Sequence, residues 1–199
     1  MEYLNVYDSN KKKLNKKIVR GESLPDGEHI LVTVIFIKNS DGKYLMQKTS
    51  KEKGSRFSTT GGHVLYNETS KEAIIREVKE ELNLDISNEN ITYIGSILFG
   101  IPFGDIYYLE KDIDISSLKL QTEEVESVSY LSENEILNLI EKEQITKSAP
   151  QTNAQSKTID SKIQNAKAEM SKIASNPDSS YHTDNVNMVM DLFEGKFID

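Results

Sequence analysis

No cysteine occurs anywhere in the 199 residues, which rules out disulfides and thiolate metal sites and is compatible with a reducing cytosol. Long apolar runs are also missing: no stretch approaches the roughly 18 to 20 apolar residues a membrane helix needs. The N-terminus, MEYLNVYDSNKKK, lacks the apolar core of a secretory signal. These absences predict a soluble, cytoplasmic protein without membrane partners. Positive charge is in short supply too. A net charge of -8 argues against a general nucleic-acid surface, which would ordinarily be basic. An acidic protein can still bind a diphosphate if cations and a few local bases neutralise it. There is no internal repeat, and 37% hydrophobic content over this length supplies one substantial core, so one domain with extensions is expected.

What the chain does contain is concentrated between Gly62 and Leu84, GHVLYNETSKEAIIREVKEELNL. Glu77, Glu80 and Glu81 stand at i, i+3 and i+4, so on a helix their carboxylates project from one face. Such crowded like charges gain from a divalent cation, because hard ions such as Mg²⁺ take oxygen ligands. The helix is predicted independently. Thr69-Ser70-Lys71-Glu72 has the form of a capping box. Ile74, Ile75, Val78 and Leu82 form an apolar arc beside the acidic one. Asn83 is a plausible stop, since after Gly it best tolerates the left-handed backbone beyond a helix end. A solvated acidic face is the alternative reading of the glutamates taken alone.

Their wider spacing discriminates between the two. Gly62, five residues, Glu68, seven residues, Arg76-Glu77-Val78, one residue, Glu80-Glu81, one residue, Asn83-Leu84 resembles the Nudix box, the signature of hydrolases acting on a nucleoside diphosphate linked to another moiety. The late glycine of that signature is Asn83 here, a departure at a cap. Upstream, Thr60 stands where many members have proline before two glycines. Gly61 and Gly62 are expected to let the backbone turn tightly near a ligand.

Along the rest of the chain, Tyr3 to Tyr7 and Lys16 to Val19 read as a hairpin around Asp8-Ser9-Asn10, followed by a Pro25-Asp26-Gly27 turn. The β-branched run Ile30 to Ile37 turns through Asn39-Ser40-Asp41-Gly42 into Lys43 to Gln47. Ile91 to Leu98, Asp105 to Leu109 and Ser127 to Leu131 are further strands, and Ser132 opens a helix carrying Ile136, Leu137, Leu139 and Ile140. With the resemblance, this gives an α/β fold: a Nudix-type α/β/α sandwich with a mixed β-sheet, an N-terminal β-hairpin extension and extra C-terminal helices. The expected organisation is a domain over 1–145, a polar linker and amphipathic helix insertion over 146–180, and a C-terminal helix over 181–199 packing on the domain. In the insertion, Ile159, Ile163, Ala166, Met170 and Ile173 recur at helical spacing.

A finer similarity, over roughly residues 2 to 143, is to the hydrolase branch closest to isopentenyl-diphosphate isomerase. That isomerase uses a catalytic cysteine where this chain has Ser58-Thr59-Thr60, and a hydroxyl, with its far higher pKa, is a poor replacement for a thiol. The resemblance therefore implies metal-dependent hydrolysis of a diphosphate linkage in a nucleoside diphosphate derivative or related small metabolite by water attack at phosphorus. An isomerase-like enzyme and a non-catalytic diphosphate-binding domain are the alternatives. It implies Mg²⁺, or alternatively Mn²⁺, on Glu77, Glu80 and Glu81, with Glu68 near that shell. Arg76 is expected to pair with carboxylates, above all Glu80, or to orient the loop. Glu124 is the candidate general base from outside the box. Gly61, Gly62, His63 and Arg56 are candidate substrate contacts. The attached group is not encoded in any readable motif, and a homodimer is the oligomer the resembled family suggests.

Overall fold

A computed structural model describes residues 1–98 and 101–142. The expectations for 146–180 and 181–199, and the Phe99-Gly100 part of the loop before Ile101, lie outside the described residues. The N-terminal hairpin is present as β1 (Tyr3–Asp8) and β2 (Lys13–Val19), and β3 (Glu28–His29) completes a three-stranded sheet in the order β2-β1-β3. The main sheet is built around β4 (Leu31–Lys38), whose sequence LVTVIFIK is apolar and β-branched on both faces because both faces are covered.

Next come β5 (Tyr44–Thr49), β6 (Phe57–Ser58), β7 (Thr60–His63), helix α1 (Ser70–Leu82), β8 (Thr92–Leu98), β9 (Phe103–Glu110), β10 (Val125–Leu131) and helix α2 (Glu133–Glu141). The seven-stranded sheet runs β10-β5-β4-β9-β8, with β6 beside β5 and β7 beside β4. The β4/β9 pair is parallel along its whole length and the other pairs are antiparallel, so the sheet is mixed. The Asn39 to Gly42 turn forms as expected, but β4 and β5 stay paired only at Lys38 and Tyr44. Beyond that point β7 occupies the flank of β4, from Ile35 opposite Thr60 to Val32 opposite His63.

Two clusters sandwich the sheet. Ile74, Val78 and Leu82 of α1 pack on Ile35, Ile37, Leu45, Tyr107 and Leu109; on the opposite face Phe36, Tyr44, Met46, Ile106 and Tyr108 pack on Ile136 of α2. Full burial of each such aliphatic side chain stabilises the fold by about 1.5–3 kcal/mol. Tyr7 brings the hairpin sheet onto the main domain, in a third cluster with Leu31, Val64, Ala73 and Phe103. Among the described residues no helix is long and apolar enough to cross a membrane.

Both ends of α1 follow the sequence reading. Thr69 accepts from the Glu72 amide while the Glu72 carboxylate accepts from the Thr69 amide, and Asn83 adopts φ 54°, ψ 30° with its amide bonded to Lys79 O. A side chain beyond Asn or Gly tolerates that backbone poorly. Asn83→Ala should therefore lower stability by about 1 kcal/mol in thermal denaturation while leaving activity unchanged, because Asn83 is exposed and its hydrogen bond is to Lys79 O.

Candidate active site

Arg76, on the second turn of α1, gathers the acidic residues. Its Nε and Nη2 donate to the two oxygens of Glu68 at 2.9 Å each, Nη1 donates to Glu77 Oε1 at 2.8 Å and Glu80 Oε2 at 3.1 Å, and Nη2 also reaches His63 O at 3.0 Å. The expected Glu80 partner is present, but as the longest of the carboxylate contacts; the bidentate partner is Glu68, from the loop before the helix. Bonding to Glu68 raises the guanidinium pKa further, so Arg76 is a permanent cation. Glu68 is itself fixed, because its Oε2 accepts from Leu65 N at 3.0 Å. That loop is tied to the hairpin by Asn5, which donates to Leu65 O at 3.1 Å and accepts from Asn67 N at 3.3 Å.

Glu81 lies on the same face at the end of α1 but is only 6% exposed. Burial pushes its carboxyl up to about 7, against the lowering effect of a hydrogen bond from Gln47 Nε2 at 3.0 Å. Gln47 Oε1 in turn accepts from Thr60 Oγ1 at 3.1 Å. Burial also raises Glu77, with the Arg76 bond opposing it. In His63, burial is the main cause of a lowered pKa, with Arg20 adding to it, so the ring favours its neutral form. His63 meets Arg76 through its backbone carbonyl.

The glycine pair is not a turn, as the sequence suggested, but part of β7. The reason for glycine is space. A Cβ on Gly61 would lie 2.2 Å from Thr33 O and 2.9 Å from Val34, while one on Gly62 would lie 2.2 Å from a Glu77 carboxylate oxygen. β7 therefore passes directly under α1, and the helix presses Glu77 onto bare backbone.

Glu124 comes from the segment before β10, which is anchored to the end of α1 by Gln121 N on Glu81 O at 2.9 Å. Its charge adds to the rise at Glu81, and its carboxylate is paired with Lys53. Lys53 belongs to the 3-10 turn Lys51–Lys53, and Ser50 N bonds Glu124 O at 2.9 Å, so the two loops close on each other. Arg56 is exposed, with its backbone held by Thr49. The structure thus brings together Glu68, Arg76, Glu77, Glu80, Gly62 and His63, sets Glu81 and Glu124 at the adjoining end, and leaves Arg56 on the loop beyond. Sequence reasoning missed Asn5, Gln47 and Lys53, which carry no motif and act through contacts distant in sequence.

The donor set, carboxylate oxygens on one face with Glu81 buried and Glu77 half-buried, suits a hard divalent cation, which would supply a countercharge. Among the described residues, however, no three acidic or histidine side chains already converge as ion ligands. Arg76, bonded to Glu68, Glu77 and Glu80 together, offsets one of their three charges.

Residues 28–160 match the family described as NUDIX domain. The chain is 36% identical over 140 residues to an uncharacterized Nudix hydrolase of Listeria innocua, lin0387, covering 68% of this chain and 83% of that one. A Listeria monocytogenes counterpart, lmo0368, is 34% identical over the same shares. Among solved structures, DR0079 from Deinococcus radiodurans superposes with a TM-score of 0.63 at 22% identity, covering 73% of this chain and 93% of that one, a likeness of fold.

Proposed function

The chain belongs to the Nudix hydrolase family, pyrophosphohydrolases acting on nucleoside diphosphate derivatives, and from that premise we propose that it cleaves the diphosphate linkage of such a derivative or a related small metabolite with Mg²⁺, or Mn²⁺ in its place. The observation that carries this reading is the gathering of Glu68, Glu77 and Glu80 around Arg76, with Glu81 buried at the end of the same helix. Glu77, Glu80 and Glu81 would hold the cation, with Glu68 locked beside them by Arg76. When bound, such an ion neutralises charge growing on the phosphoryl oxygens and acidifies water.

The protein's own groups then have distinct tasks. Gly62 leaves room for Glu77 against the strand. Glu124 takes the proton of the attacking water as its oxygen bonds to phosphorus and the bond to the leaving phosphate breaks. Lys53, which pairs with Glu124 in this structure, orients that carboxylate. Isomerisation of the isopentenyl-diphosphate type has no thiol to use, and the hydroxyl of Thr60 is buried and donates to Gln47.

Incubation with a panel of nucleoside diphosphate derivatives and small diphosphates, with Mg²⁺, with Mn²⁺ and with chelator, tests the reading. The expected result is two phosphate-bearing products from at least one substrate, seen by phosphorus NMR and mass spectrometry, only when metal is present. No turnover across the panel would overturn it, and rearrangement of isopentenyl diphosphate without cleavage would point to isomerisation. On the substrate found, Glu124→Gln should lower kcat by about a hundredfold with the metal requirement intact. An unchanged kcat places the base elsewhere.

A further inference from the structure

Glu81 is the one carboxylate of the acidic face that Arg76 does not touch, and its partner is a neutral amide from another strand. Gln47 on β5 and Thr60 on β7 lie on the α1 side of the sheet, and both are 5% exposed. The order of donors along this chain follows from chemistry. An ionised carboxylate only accepts, so the Gln47 amide must turn its NH₂ toward Glu81; its carbonyl then faces Thr60, whose hydroxyl must donate. The observed atoms, Thr60 Oγ1 to Gln47 Oε1 at 3.1 Å and Gln47 Nε2 to Glu81 Oε2 at 3.0 Å, have that sense. One oxygen of Glu81 is thereby fixed, while Oε1 accepts no hydrogen bond from the described residues.

We propose that Gln47 and Thr60 are positioning residues that hold Glu81 with Oε2 occupied and Oε1 presented to the divalent cation, and that Thr60 does so by anchoring the carbonyl end of the Gln47 amide. This rests on the function proposed above. Thr60 occupies the position where proline precedes the two glycines in many proteins with this signature, and proline has no hydroxyl to give. Without the Thr60 hydroxyl, the buried Gln47 carbonyl loses its hydrogen bond, and the side chain loses the anchor that holds its NH₂ against Glu81.

The test is Mn²⁺ binding to the full chain without substrate, read by electron paramagnetic resonance of the free ion and by calorimetry, in the wild type, Thr60→Val, Thr60→Ser, Gln47→Leu and the double variant Gln47→Leu/Thr60→Val. Loss of a group that orients a ligand typically weakens metal affinity about 10- to 100-fold. Gln47→Leu should fall in that range, Thr60→Val about 10-fold, and Thr60→Ser, which keeps the hydroxyl, near the wild type. Adding Thr60→Val to Gln47→Leu should cost less than twofold further, since the hydroxyl acts only through the amide. Unchanged Mn²⁺ affinity in Thr60→Val, or losses that multiply in the double variant, overturns the relay, as does a wild type that binds no Mn²⁺. A shared fall in melting temperature with affinity intact assigns both residues to packing alone, and also overturns it. Because no substrate is present, the relay can hold when no substrate of the panel is cleaved. Equally, hydrolysis can hold when the relay fails.

Discussion

Glu81→Gln is expected to lose about three orders of magnitude in hydrolysis while melting at a higher temperature than the wild type in metal-free buffer at pH 8. The activity loss follows from removing one charged ligand of a cation whose stabilisation of the transition state is worth several kcal/mol, at 1.36 kcal/mol per tenfold. The stability gain has the opposite origin. In the folded chain Glu81 titrates at about 7 because burial disfavours its charge, against an ordinary value of 4.5. Below about pH 4 both states hold the proton and the site costs nothing. As pH rises, the unfolded chain ionises first, so stability falls across the interval between the two values and then levels off. That interval corresponds to an upper bound of about 3 kcal/mol, so a gain of about 1–3 kcal/mol at pH 8 that vanishes near pH 4 is expected from denaturation at the two pH values. Mg²⁺ should raise the melting point of the wild type at pH 8 and leave that of Glu81→Gln almost unmoved. A variant that melts lower at pH 8 than the wild type contradicts this account.

Adjacent glycines should fail in different ways. Gly61→Ala drives a methyl to within 2.2 Å of the Thr33 carbonyl, and backbone in the centre of a sheet cannot move aside. A loss of about 3 kcal/mol or more, with little folded protein recovered, is expected. Gly62→Ala meets a Glu77 carboxylate instead, the far end of a flexible side chain. The carboxylate can swing away, so the fold should survive with a melting point within a few degrees of the wild type. Hydrolysis should fall about a hundredfold or more, because Glu77 no longer stands with Glu80 and Glu81. Circular dichroism melts and initial rates on the two proteins make the comparison; equal melting points would refute it.

These two glycines mark the limit of what the sequence disclosed. Spacing alone located the box helix, because 3.6-residue periodicity and capping chemistry are local, and Thr69, Glu72 and Asn83 carry them without help from the rest of the chain. It also located the acids, whose separation decides which of them share a face. It misread Gly61-Gly62 as a turn, because glycine is permissive for two unrelated reasons and only the tertiary structure shows that here the reason is a helix pressed on a strand. It joined β4 to β5 through the Asn39 to Gly42 turn, which the structure keeps, but gave no sign that β7 and β9 would hold most of the length of β4. Arg76 was assigned its helical neighbour Glu80, and its stronger hold on Glu68 depended on a loop whose path is set by Asn5 in the hairpin. Gln47 was read as an ordinary strand residue because nothing in Lys43 to Gln47 indicates that its amide will lie beneath a glutamate on α1.

The parallel pairing of β4 with β9 has a consequence in time. Everything that makes the acidic face, from the glycine strand to the end of α1, lies in the chain between these two strands, so closing the pair means closing a loop that contains the site. Loops of that length close late, after local structure has formed. During synthesis the box helix and its caps can therefore form early, before the sheet it covers is complete. The 121–125 segment, whose Gln121 N bonds Glu81 O, follows β9 in the chain, so the end of α1 can gain that neighbour only after the whole of this loop has been made.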